Sequence, residues 1–421
     1  MKKTLLYLTL PLAMLLCSLH SSRANYATGG ELIYLHISDS TYQFFFKLYR
    51  DCSGNAEPDT IPLCFFNPCT NQSFSMPMTK WLGTGGGTVI KPLCSTGPTN
   101  CDSPASLIQA YKETWYVAIA TMPGRCNSWR IFARTTTRSS IYNIQNSASS
   151  NMYVEATMNN STTDSNSSPY YSVRPIYAVP LNQPYTFNNG GLDADGDSLS
   201  HDVIMPRTGA PTCSDTAQNM SFATATPSFQ LGYNPFQTNN SFFLHPITGQ
   251  MSFTASMLGN ANIVVRTREF RNGVQIGSVM REIQMRTLQL PSPPAYTTGS
   301  TCGTPPNSNG RVHGCIGQNL TYCFYYKSPD SNSRIYLSDN LATSIPGAGI
   351  VYANQGTDSV HVTFNWTPGV NDVGLSAYLI VIADSLCSFP TPLQYLRTVE
   401  HSIWGPVKAS NDTTICAGQP A

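Results

Sequence analysis

The sequence predicts an all-β chain of β-sandwich domains in tandem. Three observations carry that prediction. Short runs alternate apolar and polar residues at period two, no stretch keeps a helical period, and two distant stretches echo one another. Any helix is therefore expected to be short.

The first element is a leader. Lys2 and Lys3 open it, and Leu5 to Cys17 is apolar apart from Thr9 and Pro11. Ser22-Arg23-Ala24 supplies small residues at −3 and −1 of a signal-peptidase cut after Ala24. Residues 1–24 are read as a signal peptide and Asn25 as the mature start. The apolar run is shorter than the roughly 20 residues that span a bilayer. Leu16 stands before Cys17 where a lipoprotein signal needs a small residue. No later stretch is long and apolar enough to span, so no transmembrane segment is expected in the mature chain. The expected location is extracellular or on the outer cell surface.

Composition fits export. Charged residues are 11% of the chain, against about 25% in ordinary soluble domains. Without Lys2, Lys3 and Arg23 the chain keeps 21 basic and 23 acidic residues, a net charge of −2. That balance disfavours nucleic acid and anionic membrane as partners. Of 13 cysteines, 12 follow the leader. Six cluster between Cys52 and Cys126, four between Cys302 and Cys387, and Cys213 and Cys416 stand alone. No Cys-x-x-Cys pair exists and the histidines are scattered, so disulfides are favoured over zinc. Connectivity stays open; Cys64–Cys69 and Cys94–Cys101 are candidate short staples.

The mature chain opens on a hairpin. Glu31–Ile37 and Thr41–Arg50 are strands around a Ser38-Asp39-Ser40 turn. Tyr42, Phe44, Phe46 and Leu48 fall at period two, and Phe45 and Tyr49 mark the other face as covered too. Thr114–Ala120 and Trp129–Thr135 are further strands. Gly83-Thr84-Gly85-Gly86-Gly87 is a hairpin tip without the spacing of a dinucleotide loop. The polar tract Asn159–Ser168 is a linker, and Leu290-Pro291-Ser292-Pro293-Pro294 a stiff boundary. Strands at Asn262–Thr267 and Val279–Met285 close the segment between them. The echo runs from Met251-Ser252-Phe253-Thr254, Gly259 and Ile263–Thr267 near Glu269, to Phe364–Pro368, Gly374 and Ala377–Ile382 ending at Asp384. Each copy ends a strand on a carboxylate.

One segment carries site chemistry: Gly191-Leu192-Asp193-Ala194-Asp195-Gly196-Asp197-Ser198-Leu199. Three carboxylates at alternate positions repel unless a cation joins them, and Ca²⁺ takes 6–8 oxygen ligands. The loop is not an EF-hand, because Gly196 is fourth and Ile204 stands twelfth. The expected metal ligands are Asp193, Asp195, Asp197 and Glu269, with weak affinity of about 10⁻⁴–10⁻³ M. The competing view is a solvated acidic turn. No Gly-x-Ser-x-Gly, His-Glu-x-x-His or Walker motif occurs, and His36, His201, His245, His313, His361 and His401 are mutually isolated. No enzyme is expected. Tyr170, Tyr171, Tyr325 and Tyr326 are exposed-aromatic candidates for sugar stacking, or ordinary cross-strand residues.

The Asp-x-Asp-Gly-Asp-x-Leu form resembles cadherin-like sandwiches. Further motifs carry a wider resemblance: Ala27-Thr28-Gly29-Gly30-Glu31-Leu32, Phe46–Cys52, Glu155–Asn160, Asn166-Ser167-Ser168-Pro169 and Phe270–Arg281. Together they resemble the N-terminal region of large Bacteroidetes surface proteins with tandem Ig-like or PKD-like domains. Those proteins are gliding-motility associated and sorted by type IX secretion. The resemblance implies Sec export, then type IX export, and roles in adhesion or motility. Two features depart from it. The sorting domain is not among these residues. His245-Pro246-Ile247-Thr248-Gly249 has His where the family has Asp, which is expected to remove a polar contact at the turn.

The expected organisation is 25–160 an N-terminal sandwich, 165–290 a cadherin-like sandwich with the acidic loop, and 291–408 an Ig-like sandwich. Residues 409–421 are read as the start of a further, truncated domain. The expected function is a secreted or surface structural and adhesive protein, stiffened by calcium, with surface glycans or other surface proteins as partners. The second hypothesis is a carbohydrate-binding module of a polysaccharide-utilisation system.

Overall fold

The structure, a computed structural model of the 421-residue chain, describes residues 27–83, 87–90, 98–106, 110–135, 138–163, 165–175, 178–209, 213, 218–221, 242–289, 295–303, 306, 310–385 and 393–405. The expected leader, Cys94, Cys387, Cys416, the Pro291–Pro294 boundary and the expected start of a domain at 409–421 lie outside them. So does most of the Gly83–Gly87 tip.

The first part supplies β1 (Ala27–Ser38), β2 (Thr41–Asp51), β3 (Thr60–Asn67), β4 (Gln72–Lys80), β5 (Thr88–Ile90), β6 (Tyr111–Thr121), β7 (Trp129–Arg134) and β8 (Tyr153–Met158). Next come β9 (Tyr170–Tyr171), β10 (Ala178–Pro180), β11 (Pro184–Asn188), β12 (Gly191–Leu192), β13 (Ser198–Ile204), β14 (Arg207–Thr208), β15 (Gln218–Asn219), β16 (Phe243–Leu244), β17 (Gln250–Thr254), β18 (Gly259–Arg271) and β19 (Val274–Leu288). The last part holds β20 (Tyr296–Gly303), β21 (Arg311–Cys315), β22 (Leu320–Lys327), β23 (Arg334–Asp339), β24 (Gly349–Ala353), β25 (Ser359–Trp366), β26 (Gly374–Ser385) and β27 (Leu393–Trp404). One four-residue helix, α1 (Leu341–Ser344), is the only α-helix among the described residues. The chain is all-β, as the alternation predicts.

The opening hairpin forms as read. β1 and β2 pair antiparallel around Asp39, which takes φ +45°. Phe44, Phe46 and Leu48 are fully buried on one face, and Phe45 and Tyr49 are buried on the other. The pairing β1-β2-β6-β4-β3-β7-β8 continues until both of its ends meet β19. β1 pairs β19 at Gly29–Glu31 and β8 pairs it at Gly277–Val279. The ring of strands therefore closes and leaves no open edge there.

The expected division at 160–165 is thus crossed by the sheet, because β18 and β19 serve two cores. Val264, Val279 and Met280 face the first core, while Ile263, Val265, Ile283 and Met285 face the second. Alternate residues of one strand point to opposite faces, so a strand apolar on both is buried on both.

The echo is a topological repeat. β13-β18-β19 with β10 parallel to β19 is matched by β23-β26-β27 with β21 parallel to β27. β11-β17-β16 is matched by β22-β25-β24, to which β20 is added. Each copy is a two-sheet Greek-key sandwich of the immunoglobulin-like kind. Gly259 and Gly374, equivalent in the echo, both take φ +122°, a region that L side chains rarely enter. The β18–β19 turn places Asn272 and Gly273 at positive φ, the two-residue hairpin geometry. The two sandwiches share a continuous apolar core, bridged by polar contacts. Asn188 donates to Thr398 Oγ1 at 2.9 Å, Thr186 Oγ1 donates to the Leu396 carbonyl at 3.0 Å, and Thr398 N donates to Gln250 Oε1 at 3.0 Å.

Disulfides form, but not as the short staples suggested. Cys64 pairs with Cys213, Cys69 with Cys126, Cys52 with Cys101 and Cys302 with Cys323. Cys315 is also disulfide-bonded. Cys64 sits inside β3, on a face packed by Phe132 and Tyr153 where Cys213 arrives. Cys69 lies in the β3–β4 turn, opposite the β6–β7 connection that carries Cys126. Cys213 is therefore not solitary, and its bond spans 149 residues. Closing so long a loop removes unfolded-chain entropy worth several kcal/mol in the loop-entropy model, typically about 2–4 kcal/mol in practice. The turn at His245 also differs from expectation. His245 Nδ1 accepts from Thr248 N at 3.2 Å and Ile247 N at 3.4 Å, so the imidazole keeps the contact the missing Asp was expected to make.

Buried charge ties the first part to β19. Glu31 is fully buried and meets Lys47 Nζ at 2.7 Å and Arg281 Nε at 2.6 Å. Arg281 also lies 4.7 Å from the Tyr171 ring. Arg138 and Glu282, equally buried, form a two-point ion pair at 2.5 and 2.7 Å. Removing one partner of such a pair strands a charge and costs about 3–5 kcal/mol.

Candidate cation site under the acidic loop

The site grows from the junction of three elements. β12 pairs with β9 and delivers the chain to Asp193; β13 leaves the loop at Ser198 and pairs with β18. Within the loop, Asp193 Oδ1 accepts from Asp195 N at 2.9 Å and Asp197 N at 3.0 Å, and Gly196 takes φ +83°. That turn draws one carboxyl oxygen from each of Asp193, Asp195 and Asp197 to within 4.8 Å of the others. Ser167 N donates to Asp195 Oδ2 at 2.7 Å, fixing the loop to the preceding tract. That tract is held to β1 by Tyr34 N donating to Ser168 Oγ at 2.9 Å.

Glu269 comes from β18 and lies beneath the loop, fully buried. Its Oε1 accepts from Asn166 Nδ2 at 2.8 Å and from the Tyr34 hydroxyl at 3.2 Å. No donor reaches its Oε2, nor the buried Asp193 Oδ2. The two carboxyl groups are in bonding reach of each other, and burial first, then the Asp193 charge, push Glu269 up to about 8. Burial likewise raises Asp193, with the Asp197 and Asp195 charges adding to it. Two carboxylates have only acceptors to offer, so a proton, a water or a cation is needed to join them. Asp197 is differently placed. Arg271 Nε and Nη2 hold its two oxygens at 2.9 and 2.6 Å.

Three of the four predicted ligands, Asp193, Asp195 and Asp197, are brought together; Glu269 lies against Asp193 alone, and these two carboxyls have orphaned oxygens. An orphaned buried acceptor is costly, and hard oxygens in this number suit Ca²⁺. Asp193, Glu269 and Asp195 are the residues that would hold the ion, with Asp197 shared with Arg271. Four residues were not anticipated: Tyr34, Asn166, Arg271 and Gly277. A Cβ at Gly277 would overlap Glu269 Oε1 and lie 2.9 Å from its Cδ, so the glycine makes room for the carboxylate. Its place opposite Glu269 on β19 becomes visible only with the register.

The aromatic candidates do not form a surface. Tyr171 and Tyr326 are buried, and Tyr170 and Tyr325 are partly buried. Tyr171 lies under Arg281 and bonds Thr267 Oγ1 at 3.1 Å; Tyr325 packs on His361. Facing residues on strands, they pair with neighbours instead of solvent.

No protein-family model matches the chain, and no curated protein matches it. Solved structures similar to it include an endo-fucoidan hydrolase from glycoside hydrolase family 107, at 12% identity and TM-score 0.19 over 78% of this chain and 39% of that one. Protocadherin Gamma B7 cadherin domains 1–4 match at 10% identity and TM-score 0.18, over 86% and 83%. The Dpr2 Ig1-Ig2 complex with DIP-Theta matches at 9% identity and TM-score 0.18, over 89% and 99%. Among the described residues no helix is long and apolar enough to cross a membrane.

Proposed function

We propose that this chain is an extracellular structural or adhesive module whose second sandwich is stiffened by calcium bound between the 193–197 loop and Glu269. The observation that carries the cation is the pair of buried, donorless oxygens, Glu269 Oε2 and Asp193 Oδ2. Bound calcium would supply positive charge there. The chain's own residues do the rest. Tyr34 and Asn166 orient Glu269, Ser167 anchors Asp195, and Arg271 offsets part of the negative charge. The loop would then be locked to both β1 and β18, the place where the first part joins the second sandwich. Disulfides support an oxidising, exported setting. Export to a Bacteroidetes-type cell surface rests on the sequence motifs.

Calorimetric titration of the full chain with Ca²⁺ tests the cation directly. Binding at about 10⁻⁴–10⁻³ M, lost in Asp195→Ala/Asp197→Ala, is expected. Absence of heat at millimolar Ca²⁺, in a variant-independent way, would reduce the loop to a solvated turn.

A further inference from the structure

Outside the cation site, a cleft opens between the two sandwiches. Alternation gives β11, β17 and β16 two faces. Tyr185, Phe187, Met251 and Phe253 point into the core. On the other face Thr186, Ser252 and Phe243 form one cross-strand row, paired Thr186↔Ser252 and Ser252↔Phe243. This face lines a cleft of about 710 Å³, and β21 and β27 bring Arg311, His313, Arg397 and Glu400 to it. A second cavity of about 290 Å³ continues it, sharing His245, Arg311 and Glu400. Both sizes are those of small-molecule sites, which favour the seams between domains.

We infer that this cleft binds an acidic sugar chain. The chemistry of its walls selects that ligand. Phe243 is 56% exposed. A lone exposed aromatic on an open surface needs no explanation, but this ring stands in a concave wall of hydroxyl and amide side chains. A sugar ring presents an apolar C–H face and a rim of hydroxyls, and so matches a ring beside such groups. His313, exposed and packed against Trp404 at 5.3 Å, gives the opposite wall a second flat face. His245 Nδ1 is occupied by two backbone N–H groups, so its Nε2 carries the proton and is a donor.

Charge decides between neutral and acidic sugars. Arg311 Nε and Nη2 both donate to Glu400 Oε2, at 3.0 and 2.6 Å. Arg397 donates to Thr297 Oγ1 at 2.7 Å and has no carboxylate partner among the described residues. One positive charge is left over in the cleft, and a guanidinium suits carboxylate or sulfate. This cleft is separate from the cation site, and its ligand does not depend on calcium.

Native gel electrophoresis of the full chain, through gels containing polygalacturonate, alginate, chondroitin sulfate, neutral dextran or polyglutamate, tests the assignment. Each gel is run with Ca²⁺ and with chelator, and each variant's melting curve is recorded. Retardation by at least one acidic polysaccharide is expected in both conditions. Phe243→Ala and Arg397→Gln should each raise its dissociation constant at least fivefold. Phe243→Ala removes an exposed ring and should melt as the parent does. No retardation by any acidic polysaccharide, equal retardation by polyglutamate, equal retardation by dextran, or retardation untouched in Phe243→Ala would each overturn the inference. Loss of calcium binding with retardation intact would overturn the cation site alone.

Discussion

The second and third sandwiches solve one problem in two ways. Each ends an equivalent strand, β18 or β26, on a buried carboxylate: Glu269 is fully buried and Asp384 is 2% exposed. Each carboxylate lies by the loop that leads into an equivalent strand, β13 or β23. In the third sandwich that loop carries serines. Ser333 Oγ donates to Asp384 Oδ1, and Ser328 Oγ donates to Oδ2 at 3.5 Å. In the second the loop carries Asp193, Asp195 and Asp197, and one oxygen of Glu269 has no donor. Burial pushes both carboxyls up, but only the Glu269 carboxyl keeps an oxygen without a donor. The same framework thus holds a carboxylate by hydroxyls in one copy and leaves one carboxylate oxygen without a donor in the other.

The comparison can be broken from several sides. Gly277→Ala drives a methyl group into Glu269 and to 2.9 Å from the Thr157 carbonyl. Overpacking of a filled core costs about 1–3 kcal/mol, and the upper end is expected, read as a lower urea midpoint at unchanged slope. Calcium should have the next largest effect. At ten to a hundred times its dissociation constant it should add about 1.4–2.7 kcal/mol. Thermal unfolding with Ca²⁺ and with chelator should show the gain, and Asp195→Ala/Asp197→Ala should abolish it. In the third sandwich, Ser333→Ala removes the donor to Asp384 and should cost about 1–3 kcal/mol, with or without calcium.

A pH effect is common to both sandwiches. Burial lowers His201 and His401 to about 4, from the ordinary 6.5. The unfolded chain then binds protons that the folded chain refuses between those values. These two groups should therefore raise stability from pH 4 to about 6.5 and add nothing above it, against the opposite contribution of Glu269, whose folded-state pKa is raised from 4.5 to about 8. Replacing His401, whose Nε2 lies 3.1 Å from the Tyr322 hydroxyl, with Gln should flatten part of that rise in denaturant midpoints measured across the range.

Much of this was legible. Period two placed β1, β2, β6, β7, β18 and β19, because each buries a face. The echo places Glu269 and Asp384 as equivalent carboxylates. That the sheet crosses the 160–165 division is not legible, because Val264 and Val265 belong to different cores and a strand apolar on both faces looks the same whether it has one partner layer or two. Disulfide partners were hidden because Cys64 meets a cysteine 149 residues away. Tyr34 and Gly277 reach Glu269 through strand register, and Asn166 through the tract that Ser168 pins to β1; no local pattern encodes either.

The central claim is that one repeat needs a cation and the other does not, and hydrogen exchange compares the two inside one molecule. Backbone exchange at 193–204 should speed up when calcium is replaced by chelator, while exchange at 328–339 stays unchanged. Equal behaviour of the two segments, whether both respond or neither does, would contradict the account.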